Sequence, residues 1–178
     1  MKLIILDRDG VINEDSDDYI KSPDEFIPIP GALAAIARLK QTGHIVVVAT
    51  NQSGIARGLF DIGTLDTIHA KLHRELARYG AGLDGIFFCP HGPADGCECR
   101  KPRAGLLREI ATRFQVDLHG VSSIGDSLRD IEAARAVGAT PILVKTGKGQ
   151  RTLDNHATDL RDLAIYDDLA RAVDELTK

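Results

Sequence analysis

Short apolar segments alternate with longer amphipathic segments along most of this chain, and this alternation restricts the possible folds more than any other feature. The apolar segments cover residues 2–6, 44–50, 85–89, 121–124 and 141–144, and they are rich in aliphatic and β-branched side chains. Segments of this length and composition are typical of strands buried on both faces of a parallel sheet.

Apolar side chains recur at helical spacing between the predicted strands. Leu65, Ile68, Leu72 and Leu76 give the clearest example, and Gly80 follows them as a terminator. Alternation of strands and helices indicates an open α/β sheet with right-handed crossovers, and 178 residues suit one domain, residues 1–178. We predict helices near residues 31–43, 64–79, 106–114, 128–137 and 166–176, and irregular segments at 13–30, 89–103 and 146–164.

Charge and composition argue against several classes of function. The net charge is −4, aromatic residues make up 4% and tryptophan is absent, so neither a basic face nor an aromatic platform for nucleic acid is expected. No apolar segment approaches the ~20 residues of a membrane-spanning helix, and the start lacks the apolar stretch of a signal peptide. We therefore expect a cytoplasmic protein, in which cysteines more often bind metals or act in catalysis than form disulfides.

Polar side chains follow three of the predicted strands. Asp7 and Asp9 come after the first strand, Thr50 ends the second in "ATNQSG", and Asp126 follows the fourth in "IGDSLRD". Parallel strands end at one edge of the sheet, where ligands bind. Clustered carboxylates repel, by roughly 4 kcal/mol for a pair at 4 Å and a dielectric constant near 20, unless a cation lies between them. Oxygen ligands of this kind suit Mg²⁺, which also binds phosphate oxygens.

Each of these residues then has a chemical role in phosphoryl transfer. Asp7 would attack phosphorus and form an aspartyl-phosphate, and Asp9 would protonate the leaving alcohol. The Thr50 hydroxyl and nearby amides would bind phosphoryl oxygens, and a cation from "CRKPRAG", Arg100 or Lys101, would balance charge. Simpler explanations exist for single motifs: Asp-x-Asp-Gly is a common turn, and in "GDSLRD" an acidic capping box would explain the second Asp. All four together, each near a strand end, indicate chemistry.

The same four motifs carry a family resemblance. "DRDGVIN", "TNQSGIARG", "CRKP" and "GDSLRD" resemble the motifs of haloacid dehalogenase (HAD) superfamily phosphatases, over about residues 2–147. "TNQSGIARG", "CPHG…CRKP" and "KTGKG" are similar, more narrowly, to heptose bisphosphate phosphatases, although histidinol-phosphate phosphatases share much of the pattern. The resemblance implies a Rossmann-like parallel sheet flanked by helices, small inserted loops without a large cap domain, and Mg²⁺-dependent hydrolysis of a phosphate monoester.

The resemblance also assigns individual residues. It implies that Asp7 is the nucleophile, that Asp9 is the general acid and base, and that Thr50 and Lys101 stabilise the phosphoryl group. The implied magnesium ligands are Asp7, the main-chain carbonyl of Asp9, and Asp126. Arg100 is similar to the residue that recognises a second phosphate. The other substrate contacts expected are Arg8, Asp15, Ser16, Asp17, Asp18, Asn51, Gln52 and Ser53.

All three cysteines of the chain and one histidine lie within residues 89–99, in the order C-x-H-x₅-C-x-C. Thiolates and imidazole are ligands of tetrahedral Zn²⁺, and four protein ligands indicate a structural site. The simpler alternative is one buried cysteine with two surface thiols. We predict a zinc-binding loop that orients Arg100 and Lys101, with the ligands Cys89, His91, Cys97 and Cys99. No role is expected for His44, His69, His73, His119 and His156.

The leading functional prediction is removal of one phosphate from a small sugar bisphosphate. The resemblance implies the C7 phosphate of a heptose 1,7-bisphosphate, on the route to nucleotide-activated heptose and lipopolysaccharide. Histidinol phosphate is the alternative substrate, which Arg100 disfavours because that substrate carries a positive charge. A receiver-like signalling module is a further alternative, but it has no need of Asp9 or of the cysteines. We expect a monomer without nucleic-acid or membrane partners; the preferred anomer and the roles of Ser127 and Asp130 stay open.

Overall fold

The computed structural model describes residues 2–178 and has six strands and six α-helices. All strand pairs are parallel, and the order across the sheet is β3-β2-β1-β4-β5-β6. The strands are β1 Lys2–Leu6, β2 His44–Asn51, β3 Gly85–Cys89, β4 Ser122–Gly125, β5 Thr140–Val144 and β6 Ala164–Tyr166. The helices are α1 Ala32–Gln41, α2 Ile62–Ala77, α3 Gly105–Phe114, α4 Leu128–Ala136, α5 Gly149–His156 and α6 Leu169–Leu176.

Side chains of each central strand alternate between two apolar layers. In β1, Ile4 and Leu6 pack into the layer that contains α1, α2 and α6. Leu3 and Ile5 point the opposite way and pack with α3 and α4. Successive side chains of a strand face opposite sides of a sheet, so a continuous aliphatic run is needed where helices cover both faces. The prediction of a parallel α/β sheet flanked by helices is confirmed.

The five predicted strands are present, and the differences lie toward the C-terminus. α5 and the start of β6 fall within residues 146–164, for which we predicted irregular structure. β6 has three residues, which is too short for alternation to be read. α6 begins at Leu169 instead of residue 166, because Tyr166 belongs to β6 and the Asp168 carboxylate caps the helix by accepting from the Arg171 N–H at 2.8 Å.

Two segments without α-helix or strand matter for the site. Residues 7–31 connect β1 to α1 and include a 3₁₀ turn at Pro23–Glu25, and residues 90–104 connect β3 to α3. The fold thus has small inserted loops, as expected, and both loops begin at the carboxyl edge of the sheet. No helix within residues 2–178 combines the length and the apolar character that a membrane span needs.

Candidate active site

The direction of the strand order reverses between β1 and β4, and this switch point is where open α/β sheets bind ligands. Asp7 directly follows β1, and its N–H donates to the Ile124 carbonyl of β4 at 2.9 Å. Asp126 directly follows β4, and Asp130 lies in the first turn of α4. One carboxylate oxygen from each of these three residues lies within 4.8 Å of the others. We call Asp7, Asp126 and Asp130 the carboxylate cluster.

Lys101 provides a buried positive charge beside this cluster. Its Nζ donates to Asp130 Oδ1 at 2.6 Å, to the Ala49 carbonyl at 2.7 Å and to Asp7 Oδ1 at 3.1 Å. Burial alone would lower the pKa of Lys101, but Asp130 and Asp7 outweigh burial and raise it. The ammonium group therefore stays charged and is held between two carboxylates that are remote from each other in sequence.

One lysine does not neutralise three carboxylates. Burial, followed by the charge of Asp130, raises the pKa of Asp7 to about 7 although Lys101 opposes the shift. Burial and the charges of Asp7 and Asp130 raise the pKa of Asp126 to about 8. Asp130 behaves differently: burial would raise its pKa, but Lys101 and the donors around Ser127 outweigh burial and lower it. Asp7 and Asp126 are thus the members whose negative charges are not fully compensated.

The donor set of the cluster fits a hard divalent cation. Asp130 has both oxygens engaged, Oδ1 by Lys101 and Oδ2 by the N–H groups of Asp126 and Ser127 and the Ser127 hydroxyl. Asp7 and Asp126 each use a single oxygen in hydrogen bonds among residues 2–178. The second oxygen of each can bind Mg²⁺, which takes one or two carboxylates together with water and phosphate oxygens. Asp130 therefore serves as the partner of Lys101. Its side chain also accepts from the Ser127 N–H, which is one of the two hydrogen bonds of the predicted acidic capping box.

Two glycines leave room for the Asp126 carboxylate. A Cβ on Gly10 or on Gly147 would overlap this carboxylate, and Gly10 also has a φ of 84°, a conformation that favours glycine. Asp126 Oδ2 accepts from the Lys148 N–H at 2.8 Å, and the Thr146 hydroxyl donates to the Gly10 carbonyl at 2.6 Å. The "DRDG" and "KTGKG" motifs therefore both pack against the Asp126 carboxylate.

Asp9 lies at the edge of the same site with its two oxygens in different surroundings. Oδ1 accepts from Arg8 Nε at 2.9 Å, from Arg8 Nη2 at 2.8 Å and from Asn13 Nδ2 at 2.9 Å. Oδ2 accepts from Gln52 Nε2 at 3.2 Å. Burial alone would raise the pKa of Asp9, but the Arg8 charge and the donors Asn13, Arg8 and Gln52 outweigh burial and lower it. The two aspartates, which are two residues apart, thus have opposite pKa shifts: without a cation in the cluster Asp7 favours its protonated form, and a cation bound there would restore the carboxylate that a nucleophile requires.

The turn after β2 connects Asp9 with Lys101. Gln52 Nε2 donates to Thr50 Oγ1 at 2.9 Å as well as to Asp9. Asn51 makes two hydrogen bonds with the backbone of Lys101: its Nδ2 donates to the carbonyl at 3.0 Å, and its Oδ1 accepts from the N–H at 3.0 Å. Asn51 therefore positions the backbone of Lys101, in addition to the substrate contact expected of it.

A cavity of about 290 Å³ opens above these groups. Most of the residues expected at the site line it: Asp7, Asp9, Asp15, Ser16, Asp17, Thr50, Asn51, Gln52, Ser53, Arg100, Lys101 and Asp126. Asp15 is held by an ion pair with Lys148 at 2.8 Å. The convergence of segments that are remote in sequence, on which the phosphatase hypothesis depends, is thus present.

Two residues expected at the substrate do not line this cavity. The Arg8 side chain is completely buried, with Nη1 at 3.1 Å from His69 Nε2 and with Nε and Nη2 donating to Asp9. The Arg8 side chain therefore contacts Asp9 and His69, and the substrate contact expected of Arg8 stays a prediction. Asp18 is exposed outside the cavity lining, because the turn that begins at Ser16 directs it away.

Further residues line the cavity without having been predicted. Arg129, Lys148 and Arg57 lie within or next to the quoted motifs "GDSLRD", "KTGKG" and "TNQSGIARG", so the motifs themselves were the available signal. Tyr19 comes from the 7–31 loop, and the Arg57 guanidinium lies 5.7 Å from the centre of its ring. No local pattern around Tyr19 indicated this contact.

The cysteines and His91 form a second group of possible metal ligands, which we call the cysteine cluster. The Cys89 sulfur lies 3.0 Å from that of Cys99 and 3.7 Å from that of Cys97, and His91 Nδ1 lies 3.2 Å from the Cys99 sulfur. Ligands of a tetrahedral Zn²⁺ with bonds of about 2.3 Å are separated by roughly 3–4 Å. All four donor atoms lie within 4.8 Å of one another, so the donor set fits zinc.

Comparison with protein families and curated proteins gives consistent matches. The family model Hydrolase_like ("HAD-hyrolase-like") matches residues 98–172. The chain is 57% identical over 176 residues to the D-glycero-beta-D-manno-heptose-1,7-bisphosphate 7-phosphatase of Bordetella bronchiseptica, covering 99% of this chain and 98% of that protein. It is 51% identical over 170 residues to the enzyme of the same name from Neisseria meningitidis, covering 95% and 91%.

Solved structures agree with these matches. The D,D-heptose 1,7-bisphosphate phosphatase of B. bronchiseptica, crystallised with magnesium and phosphate, superposes with a TM-score of 0.96 over 99% of this chain and 98% of that one, at 57% identity. The corresponding phosphatase of Burkholderia thailandensis gives a TM-score of 0.76 at 45% identity, with both chains fully covered. On this evidence the chain belongs to the D-glycero-β-D-manno-heptose-1,7-bisphosphate 7-phosphatase family of the HAD superfamily.

Proposed function

We propose that this protein hydrolyses the C7 phosphate of D-glycero-β-D-manno-heptose 1,7-bisphosphate. The observation that carries the proposal is the position of Asp7 beside Lys101 and Asp9 in one cavity, which further cationic side chains also line. The substrate and its β configuration come from the names of the full-length relatives. The product would enter the synthesis of nucleotide-activated heptose for lipopolysaccharide.

The first step is transfer of the phosphoryl group to the protein. A carboxylate oxygen of Asp7 forms a bond to phosphorus while the bond from phosphorus to the C7 oxygen breaks. Asp9 donates its proton to that departing oxygen, so the sugar leaves as an alcohol. Lys101 and the Thr50 hydroxyl bind the equatorial oxygens, on which negative charge increases in the transition state.

The second step returns Asp7 to its carboxylate form. A water molecule attacks phosphorus of the aspartyl-phosphate, Asp9 accepts a proton from that water, and the bond to the Asp7 oxygen breaks. Inorganic phosphate leaves and Asp9 is again protonated for the next turnover. Mg²⁺ held by Asp7, the Asp9 carbonyl and Asp126 would neutralise the carboxylates and the phosphate that approaches them.

The charges around the cavity support a second phosphate on the substrate. Arg57, Arg100 and Arg129 line the cavity, and burial, followed by the charge of Arg129, lowers the Arg100 pKa. Adjacent guanidinium groups are stabilised by an anion, and arginine binds phosphate through two parallel hydrogen bonds. The same groups would repel the ammonium of histidinol phosphate.

We also propose that the cysteine cluster binds a structural Zn²⁺. Cys99 directly precedes Arg100 and Lys101, and Arg100 Nη1 donates to the His91 carbonyl at 3.3 Å. A metal that fixes the loop therefore also fixes two cations of the cavity. Metal analysis of the purified protein tests this, with about one zinc per chain expected.

A substrate panel with Mg²⁺ tests the main proposal. The panel contains the α and β anomers of the heptose bisphosphate and histidinol phosphate, and ³¹P NMR identifies which phosphate is released. We expect the highest kcat/KM on the β anomer with release of the C7 phosphate. Preference for histidinol phosphate would contradict the proposed substrate, and a single phosphorylation without turnover would indicate a signalling module.

A further inference from the structure

The general acid Asp9 is connected to a buried histidine that has no other assigned role. His69 lies on α2, far from Asp9 in sequence, and it is 8% exposed. Its Nε2 atom is 3.1 Å from Nη1 of Arg8. Arg8 in turn places Nε and Nη2 on Oδ1 of Asp9. A continuous set of hydrogen bonds thus runs from α2 to the catalytic loop.

The chemistry of the two partners fixes the direction of the contact. A guanidinium group has only N–H donors and no acceptor, so His69 Nε2 must be the unprotonated nitrogen that accepts from Arg8 Nη1. His69 is therefore neutral, with its proton on Nδ1. Consistent with this, burial and the charge of Arg8 lower the pKa of His69 to about 3.

The surroundings of Arg8 restrict its guanidinium group to one orientation. Two of its nitrogens bind the Asp9 carboxylate, the third binds His69, and the Phe26 ring centre lies 5.8 Å from Cζ. The side chain is fully buried, so a rotation that released His69 would leave a buried donor without a partner. His69 therefore determines where Arg8 holds Asp9.

This arrangement distinguishes the two oxygens of Asp9. Oδ1 accepts three hydrogen bonds, two from Arg8 and one from Asn13, whereas Oδ2 accepts one from Gln52, which lines the cavity. An oxygen with three donors is a poor site for a proton, so the proton that reaches the leaving group is carried by Oδ2.

We propose that His69 is a positioning residue for the general acid: through Arg8 it anchors Oδ1 of Asp9 and so directs Oδ2 toward the leaving group. The inference rests on the proposed function because it concerns the same acid–base step. It adds a residue that no motif indicated, since a histidine on a helix face has many ordinary explanations.

The test compares two esters that differ in their need for an acid. The alkoxide released from an alkyl phosphate is a poor leaving group and requires protonation, whereas the p-nitrophenolate released from p-nitrophenyl phosphate does not. The alkyl ester is the sugar phosphate that the wild-type protein hydrolyses fastest, so an error in the proposed sugar does not affect the result. The quantity compared is kcat/KM, which reports the steps through transfer to Asp7 and excludes the later attack of water.

His69→Leu removes the acceptor and retains an apolar side chain. We expect kcat/KM on the alkyl ester to fall about tenfold and on the aryl ester by less than about twofold, because a displaced acid matters only where a proton is needed. Activity on the aryl ester also measures the fraction of each preparation that has an intact active site. A variant that is merely less stable would lose activity on both esters by the same factor, and that result would overturn the inference.

Two further variants serve as controls. His69→Gln retains an acceptor at a similar reach and should recover alkyl-ester activity to within about threefold of wild type. His73→Leu changes an exposed histidine one turn further along α2 and should match wild type on both esters. Equal loss on the alkyl ester for His69→Gln and His69→Leu would contradict a role for the acceptor atom. Preference of the wild-type protein for another sugar would count against the proposed substrate alone.

Discussion

The carboxylate cluster draws its ligands from residues 7 to 130, whereas the cysteine cluster draws all of its ligands from residues 89 to 99. In both, burial opposes an anion: it raises the pKa of Asp126 to about 8, and burial together with Cys99 raises the pKa of Cys89 to about 12. Each cluster is therefore suited to a cation. They differ in what holds the ligands together in the absence of that cation.

The sheet assembles the carboxylate cluster. Asp7 and Asp126 follow adjacent hydrogen-bonded strands, and Lys101 links Asp7 to Asp130, so these groups converge without a metal. Cys97 and Cys99 lie in residues 90–104, which form turns and bends without helix or strand. Magnesium would therefore enter a prepared site, whereas the proposed zinc would be part of what gives the cysteine loop its shape.

Removing the nucleophile should separate chemistry from folding at the carboxylate cluster. Asp7→Asn should lower kcat on the order of ten-thousandfold, because an amide cannot form the aspartyl-phosphate. The fold should persist, since the change removes one of three buried like charges. Steady-state kinetics and thermal unfolding measure the two effects. Asp18→Asn, exposed outside the cavity, is the matched control and should retain wild-type kcat.

Breaking the cysteine cluster should affect structure first and chemistry as a consequence. Cys99→Ser should abolish zinc binding and lower kcat/KM by about 10- to 100-fold, because Arg100 and Lys101 lose their fixed approach to the cavity. Metal analysis and kinetics on one preparation measure both. Glu98→Gln, an exposed change between two of the ligands, should leave both quantities unchanged. Normal kinetics in a zinc-free protein would refute the proposed coupling of the loop to the cavity.

Arg100 connects the two clusters, because it directly follows Cys99 and lines the cavity. Arg100→Ala should lower kcat/KM on the bisphosphate about tenfold, through loss of charge-assisted hydrogen bonds to the second phosphate. A monophosphate lacks that group and should be affected by less than about twofold. Arg108→Ala, exposed on α3, is the control. An equal loss on both esters would place Arg100 at the transferred phosphate.

Stability at different pH values should reveal the unneutralised carboxylates. The pKa values of Asp7 and Asp126 are raised from 3.8 to about 7 and about 8, so folding favours their protonated forms. Their stabilising contribution is complete below about pH 4 and is lost as the pH rises through 7 and 8. The magnesium-free protein should therefore lose stability across this range.

Added Mg²⁺ should reverse that loss. At about tenfold excess over Kd it should raise stability by about 1.4 kcal/mol at pH 8, and clearly less at pH 5, where protons compete for the same oxygens. Thermal unfolding with and without Mg²⁺, on protein that has not been exposed to a zinc chelator, measures the difference. Asp126→Asn should remove most of it. Equal stabilisation at both pH values would show that the cation binds elsewhere.

The two clusters were also unequally predictable from sequence. The cysteine cluster could be predicted because its ligands are local and chemically specific. Asp7, Thr50 and Asp126 could be placed together because they lie at the ends of parallel strands. In any open α/β sheet these ends meet at one edge. The contact between Arg8 and His69 could not be predicted, because it joins the 7–31 loop to α2 and produces no periodic pattern in the sequence. β6 and α5 were missed for a different reason: both are short, so neighbouring structure decides their conformation.

The central claim is that Asp7, placed at the switch point of the sheet, carries the phosphoryl group during turnover. Acid quenching during steady-state hydrolysis, followed by mass spectrometry of the peptide that contains Asp7, tests this most directly. We predict a fraction of that peptide heavier by one phosphoryl group, absent in Asp7→Asn and greater in Asp9→Asn with p-nitrophenyl phosphate as substrate. Turnover at a normal rate with the phosphoryl group on another residue, or on none, would contradict the account.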